Sequence, residues 1–236
     1  AQHDEELEEK IITSARTRSS FEDQPNRVEV LGGEEINEKA NMKPGDIRML
    51  LNESTGIYVQ QTSATSFNSS IRIQGLDGKY TQILQDGMPL YGGYSGGLSL
   101  LQIAPIDLQQ VEVIKGTNST LFGDGAIAGL VNLVTRAPGE ESENSFLVNL
   151  TSADGIDTSG FFSRRIGNQT VTVFTSYNSN DAYDPADNGF SAIPEFERWT
   201  FKPRFFFKGA NSESVFGFSV ITEDRLGGNL NHIEGR

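Results

Sequence analysis

Hydrophobic positions along the chain follow two regimes that meet near residue 139. From Ala1 to Pro25 the sequence is polar and acidic, with one apolar island at Ile11-Ile12, and reads as a flexible arm. The GEEINEKA stretch from Gly33 to Ala40 predicts a short helix. A second helix is expected from about Pro44, through Asp46, Ile47, Leu50 and Leu51, to a stop near Gly56. Short β-prone runs follow at Ile57–Val59, Ser70–Ile73, Thr81–Leu84, Val111–Ile114 and Leu130–Val134, separated by polar or glycine-rich connections. That mixture predicts a small α+β domain ending near Pro138.

Beyond residue 139 the helical signals vanish and a two-residue period takes over. Phe146, Val148 and Leu150 share one face, and Val171, Val173, Thr175 and Tyr177 alternate with Thr172, Phe174 and Ser176. Trp199, Phe201, Pro203, Phe205 and Phe207 point one way, with Thr200, Lys202, Arg204 and Lys208 opposite, and Phe206 breaks the rule. Phe216, Phe218 and Val220 continue the pattern, and Phe161 to Ile166 is a weaker strand. Aromatics on one face and cations on the other suit a wall with lipid outside and water inside. The connections agree: Gly167-Asn168-Gln169 and Gly209-Ala210-Asn211 are tight turns, while the segment from Asn178 to Glu197 is long and polar. Pro203 sits badly in mid-strand, where it removes a ladder donor. Five strands are too few to close a useful barrel, so the sequence reads as the first part of a longer chain. A soluble surface-binding module gives the same alternation: an α+β domain fused to a β-sandwich, such as a carbohydrate-binding protein.

Composition narrows the classes further. The net charge of -13 opposes nucleic-acid binding, which depends on basic residues at phosphates. No run approaches the roughly 18 apolar residues of a transmembrane helix, whereas barrel strands are compatible with low mean hydropathy. The acidic opening Ala1-Gln2-His3-Asp4 lacks a signal-peptide pattern and is taken as a mature N-terminus. Cysteine is absent, which removes thiolate chemistry. His3 and His232 have no second nitrogen or sulfur donor nearby, and Asp181, Asp184, Asp187 and Asn188 do not fit an EF-hand spacing. No metal site, cofactor or catalytic residue is expected, and no Ser-His-Asp order is present.

Several ordered motifs resemble one family. Ile71-Arg72-Ile73-Gln74-Gly75-Leu76 and Ile83 to Leu90 (ILQDGMPL) are similar to the plug domain of TonB-dependent outer-membrane receptors. The stretch from Ile103 to Pro138 follows that family's signature, with Glu112, Lys115, Gly116, Phe122-Gly123, Gly125, Gly129 and Asn132 in order, and Glu9 to Arg16 resembles a TonB box. The family usually carries Arg where this chain has Lys115. The resemblance implies an arm over residues 1–19, a plug over 20–138 and about five barrel strands over 139–236. It implies a non-enzymatic outer-membrane receptor that imports a scarce ligand, with the plug inside the barrel lumen facing the periplasm. The ligand expected is a ferric siderophore or haem, with a corrin such as cobalamin as the further candidate.

The same resemblance places a periplasmic TonB-like energy-coupling partner on Lys10, Ile11, Ile12, Thr13, Ser14 and Ala15, and outer-membrane lipid around the barrel. Ligand contacts are expected from the plug loops Gln61–Ser69 and Tyr91–Gly97, specifically Phe67, Asn68, Tyr91, Tyr94 and Ser95. A tyrosine offers a flat apolar ring with a polar tip, suited to a metal chelate, haem or corrin. Arg72, Glu112 and Lys115 are expected to pair with the barrel wall or within the plug sheet.

Overall fold

A computed structural model describes residues 11–12, 19–20, 27–42, 44–63, 68–94, 96–97, 100, 102–116, 126–151, 154–209 and 211–235. Two short strands open it, β1 (Ile11–Ile12) and β2 (Ser19–Ser20), paired antiparallel. The α+β part follows: β3 (Arg27–Leu31), α1 (Gly33–Met42), α2 (Arg48–Glu53), β4 (Ile57–Gln61), β5 (Ser69–Ile73), β6 (Thr81–Gln85), β7 (Met88–Tyr94), β8 (Gly96–Gly97), β9 (Leu108–Lys115) and β10 (Gly129–Thr135). One sheet has the order β3-β9-β10-β6-β7, in which only β10 and β6 run parallel; β4-β5-β8 form a smaller antiparallel one.

Helix α1 forms because Ile36, Lys39 and Ala40 recur at three- and four-residue spacing and bury one stripe. Helix α2 starts later than the sequence suggests, because Pro44-Gly45 make a turn and the Asp46 carboxylate accepts from the Arg48 N–H at 2.9 Å. Ile36, Ile47, Leu50, Leu51, Ile71 and Ile83 then pack with Val111, Val113, Val131 and Leu133 in one core. Each such side chain removed from water contributes about 1.5–3 kcal/mol. The opposite face of β10 carries Leu130 and Asn132, where Leu130 joins Val28, Val30, Leu84 and Ile114 in a second cluster.

The second part is an antiparallel sheet of β11 (Glu143–Leu150), β12 (Ile156–Ile166), β13 (Gln169–Asn180), β14 (Glu195–Lys208), β15 (Glu213–Gly217) and β16 (Val220–Leu226). β15 and β16 both pair with β14, along its later and earlier halves respectively. They are one return path interrupted at Phe218-Ser219, and the interruption lies against Pro203. The Pro203 carbonyl accepts from the Phe218 N–H at 3.3 Å, so its nitrogen faces that same broken seam. The missing donor therefore costs little there.

The apolar outer face is bare: Phe146, Val148 and Leu150 are each 70% or more exposed, and Trp199 is 55% exposed. A sandwich would bury that face, so this geometry is that of a barrel wall. Strands of 11, 12 and 14 residues in β12, β13 and β14 meet or exceed the roughly 9–11 needed to cross a bilayer when tilted. No helix among the described residues is long and apolar enough to cross.

Candidate functional site

The inner face of the wall is a grid fixed by register. Lateral rows across β12, β13 and β14 read Asp157–Asn178–Arg198, Ser159–Ser176–Thr200, Phe161–Phe174–Lys202 and Ser163–Thr172–Arg204. The α+β domain lies on this grid and touches it at two levels.

At the level of the aromatic row, Pro105 begins a 3-10 turn, Pro105–Asp107, that leads into β9. The turn pushes Ala104 and Ile106 into a cluster with Phe161 and Phe174, with Leu147 packed against it. Asp107 follows at the base of that contact and is 1% exposed. Its two carboxylate oxygens accept from Lys202 Nζ and from the Arg204 guanidinium, both at 3.2 Å. Lys202 also lies over the Phe174 ring at 5.6 Å, and Arg136 over the Phe161 ring at 4.7 Å. Burial outweighs the attraction of the two cations and pushes the Asp107 carboxyl above its usual range.

The second nitrogen of Arg204 donates to the Thr135 hydroxyl. Thr135 in turn donates its N–H and hydroxyl to Asp86, each at 2.8 Å. A polar chain thus runs from the β6–β7 turn, through the last plug strand, to the wall. Arg136 pairs with Glu143, the first residue of β11. Ionic contact, apolar contact and covalent connection coincide at this edge. Beside it lies a cavity of about 890 Å³ whose lining includes Asp86, Asp107, Lys202, Arg204 and Phe206. Phe206, the exception to alternation, faces this space because it shares the inward side with Lys202 and Arg204.

At the other level the α1–α2 turn meets the first row. Arg198 donates to the Gly45 carbonyl at 2.7 Å and to Asn178 at 3.0 Å. Asp157 accepts from Asn178 at 2.7 Å and from Asn149 at 3.1 Å. Glu223 receives Gln102 at 3.1 Å and pairs with Arg225. Glycine suits position 45 because a Cβ there would stand 3.0 Å from an Asp157 carboxylate oxygen. A cavity of about 350 Å³ opens here, lined in part by Met42, Arg48, Tyr183, Phe196 and Arg225.

The predicted site residues are distributed differently. Glu112 and Lys115 do not reach the wall: the structure gives the intrasheet setting. Glu112 is fully buried and accepts from Gln110 at 2.8 Å and Asn132 at 2.9 Å. Lys115 pairs with Glu29 and donates to the Thr55 carbonyl. The physical reason is register, since both side chains project from a central strand covered by plug elements on each face. Arg72 lies half-buried on β5, opposite Tyr58.

The expected ligand loop at Tyr91–Gly97 is mostly extended, with Tyr91 and Tyr94 within β7 and Gly96–Gly97 forming β8. The Asn68 carbonyl accepts from the Thr62 N–H at 2.7 Å and closes the β4–β5 loop. Phe67 and Ser95 lie outside the described residues, as do Lys10, Thr13, Ser14 and Ala15. Ile11-Ile12 is paired antiparallel with Ser19-Ser20. Sequence reasoning missed Asp107, Thr135 and Arg198. The available signal was the inward face of Lys202 and Arg204, which calls for an acid opposite without saying which one.

Comparison with known proteins places this architecture. The model described as TonB-dependent Receptor Plug Domain matches residues 20–130. The vitamin B12 transporter BtuB of Vibrio vulnificus is 28% identical over 155 residues, covering 66% of this chain and 25% of that protein. Among solved structures, FpvA of P. aeruginosa bound to heterologous pyoverdines superposes with a TM-score of 0.71 at 16% identity, over 90% of this chain and 27% of that one. The siderophore receptor PiuA from Acinetobacter baumannii gives 0.69 at 18% identity, over 88% and 28%. The chain spans about a quarter of the length of these relatives.

Proposed function

We propose that the chain belongs to the TonB-dependent receptor family, whose plug-domain model matches residues 20–130, and that it is the plug and first wall of an importer for a scarce extracellular ligand. The family consists of outer-membrane receptors and transporters, not enzymes, with the plug inside the barrel. Residues 1–19 act as the arm, 20–138 as the plug and 139–236 as the opening strands of the barrel. A ferric siderophore or haem is the ligand class put first, and a corrin second. Phe67, Asn68, Tyr91, Tyr94 and Ser95 are proposed to meet it. The observation that carries this reading is the divided wall, bare and aromatic outside while its polar grid grips a domain through Asp107, Lys202 and Arg204 inside.

The arm segment Lys10–Ala15 is proposed to join a periplasmic TonB-like partner by strand addition, with main-chain bonds giving affinity. The Ile11–Ile12 pairing supports an extended backbone there; the partner takes the place of Ser19-Ser20 or uses the other edge of β1. Ile12→Pro removes a donor and fixes φ. In the full-length receptor this variant should bind ligand at the cell surface normally and lose uptake, while Ile12→Val is nearly silent. Surface binding and uptake are followed with ferric catecholate, haem and cyanocobalamin in turn. Import at the wild-type rate by Ile12→Pro would remove the coupling role.

A further inference from the structure

Strand β3 is the first strand of the plug sheet and carries the arm at its N-terminal end. It lies at the sheet edge and pairs with β9 over five residues, Arg27 to Leu31. Its apolar anchorage is small: Val28 and Val30 join the minor cluster, and Leu31 reaches the main core. A ladder of this length with three apolar contacts is ordinary for an edge strand. Glu29 is not ordinary. It stands opposite Val113, and its carboxylate reaches diagonally to Lys115, whose side chain is 2% exposed while that of Glu29 is 30% exposed.

The Lys115 ammonium also donates to the carbonyl of Thr55, just past the C-terminal end of α2. One cation therefore ties together the edge strand, the central strand β9 and the α2–β4 turn. Lys115 brings three donors on a compact charge, which suits two acceptors on different elements better than a planar guanidinium does. Removing Glu29 would leave that ammonium buried with a neutral acceptor, a strongly unfavourable state. Burial is outweighed by the Lys115 hydrogen bond and charge, with the Ser54 side chain and the Thr55 backbone assisting, so the Glu29 carboxyl sits below its usual range.

We infer that the Glu29–Lys115 ion pair is a latch that keeps the arm-bearing edge strand β3 on the plug sheet, and that a pull on the arm must break it before the rest of the plug responds. This rests on the reading of the arm as the point where force is applied. Strands β9 and β10 are held differently, because Asp107, Ile106 and Arg136 fasten their ends to the wall. The first element to leave is thus β3 alone, with the latch setting its resistance.

The test uses the full-length receptor in lipid nanodiscs, pulled at fixed load through a handle on Ala1. Because the load has already drawn out the arm, the first extension step should be about 17 Å, the extended length of the five residues of β3. Glu29→Gln and Lys115→Met should each shorten the dwell before that step about tenfold or more. The exchange Glu29→Lys with Lys115→Glu should recover part of the dwell, because it restores the pair while leaving the Thr55 carbonyl without its donor, and general destabilisation would recover none. A disulfide between Val28→Cys and Ile114→Cys, a directly opposed pair, should abolish the step until reductant is added. Unchanged dwell in both single variants overturns the latch. A first step of about 300 Å, which would carry β9 away with β3, overturns it as well. The handle supplies force without the periplasmic partner. Failure of the latch is therefore read separately from failure of the arm, which the import of Ile12→Pro decides.

Discussion

Truncating Asp107 tests how the plug is held to the wall. Asp107→Ala removes an acceptor whose side chain is 2% exposed and leaves Lys202 and Arg204, 10% and 13% exposed, facing each other without it. Breaking a buried pair by deleting one partner costs about 3–5 kcal/mol, mostly because a charge is left desolvated. With a denaturant slope of about 1.5–2 kcal/mol per molar urea for a domain of this size, the plug's midpoint should fall by about 2 M. Asp107→Asn should cost less than half as much. It keeps the shape and one acceptor, and it relieves the burial that already disfavours the ionised carboxyl. A fluorophore at Met42→Cys reports the event, since Met42 is 57% exposed and lines the cavity between plug and wall; these 236 residues contain no cysteine, and any in the remainder of the receptor are replaced. The measurement belongs in the full-length receptor in detergent, with barrel melting followed separately. Lys202→Met added to Asp107→Ala should recover part of the loss, because it removes one of the two cations left desolvated. A midpoint shift below about 0.3 M for Asp107→Ala, within extrapolation error, would refute the clamp as an energetic contact.

Other expectations follow from the same geometry. A cysteine at Asn188 should react with a membrane-impermeant thiol reagent on intact cells, and one at Asn168 should not; the opposite labelling would invert the wall. A fragment of residues 20–138 should unfold cooperatively in water without detergent, and a random-coil amide spectrum would show that it needs the barrel. In that fragment Gly129→Ala should lower the midpoint sharply, since Gly129 has a φ of +145° and a Cβ would stand 2.3 Å from the Ile114 carbonyl oxygen; an unchanged midpoint would contradict the β9–β10 register. Because the folded Glu29 carboxyl lies below its ordinary value of 4.5, its contribution is complete above that pH and is lost as pH falls through the folded value. The protection factors of the β3 amides in the receptor, measured against intrinsic exchange at each pH, should therefore fall on acidification, and Glu29→Gln should flatten that part of the profile.

Much of this protein is written locally. The outward set Phe146, Val148, Leu150, Trp199 and Phe201 and the inward set Thr200, Lys202 and Arg204 are visible in the sequence, because a strand's two-residue period is a property of near neighbours. The same is true of α1, whose buried stripe repeats within one turn, and of the ordered motifs from Ile71 to Pro138. Tertiary structure decided the pairings. Strand β3 has five residues and little pattern of its own, and becomes a strand because β9 offers it an edge and two valines find Leu84, Ile114 and Leu130. The stretch at Tyr91–Tyr94 is rich in glycine and reads as a loop, yet the backbone of β6 pulls it into the sheet. Pro203 is tolerated only because the return strand breaks beside it. The charged partners were the least legible. Lys115 meets Glu29 across 86 positions and Lys202 meets Asp107 across 95. Nothing local distinguishes those acids from the many others in a chain with 32 of them. Only chain packing brings one carboxylate to each buried cation, and desolvation makes that choice matter.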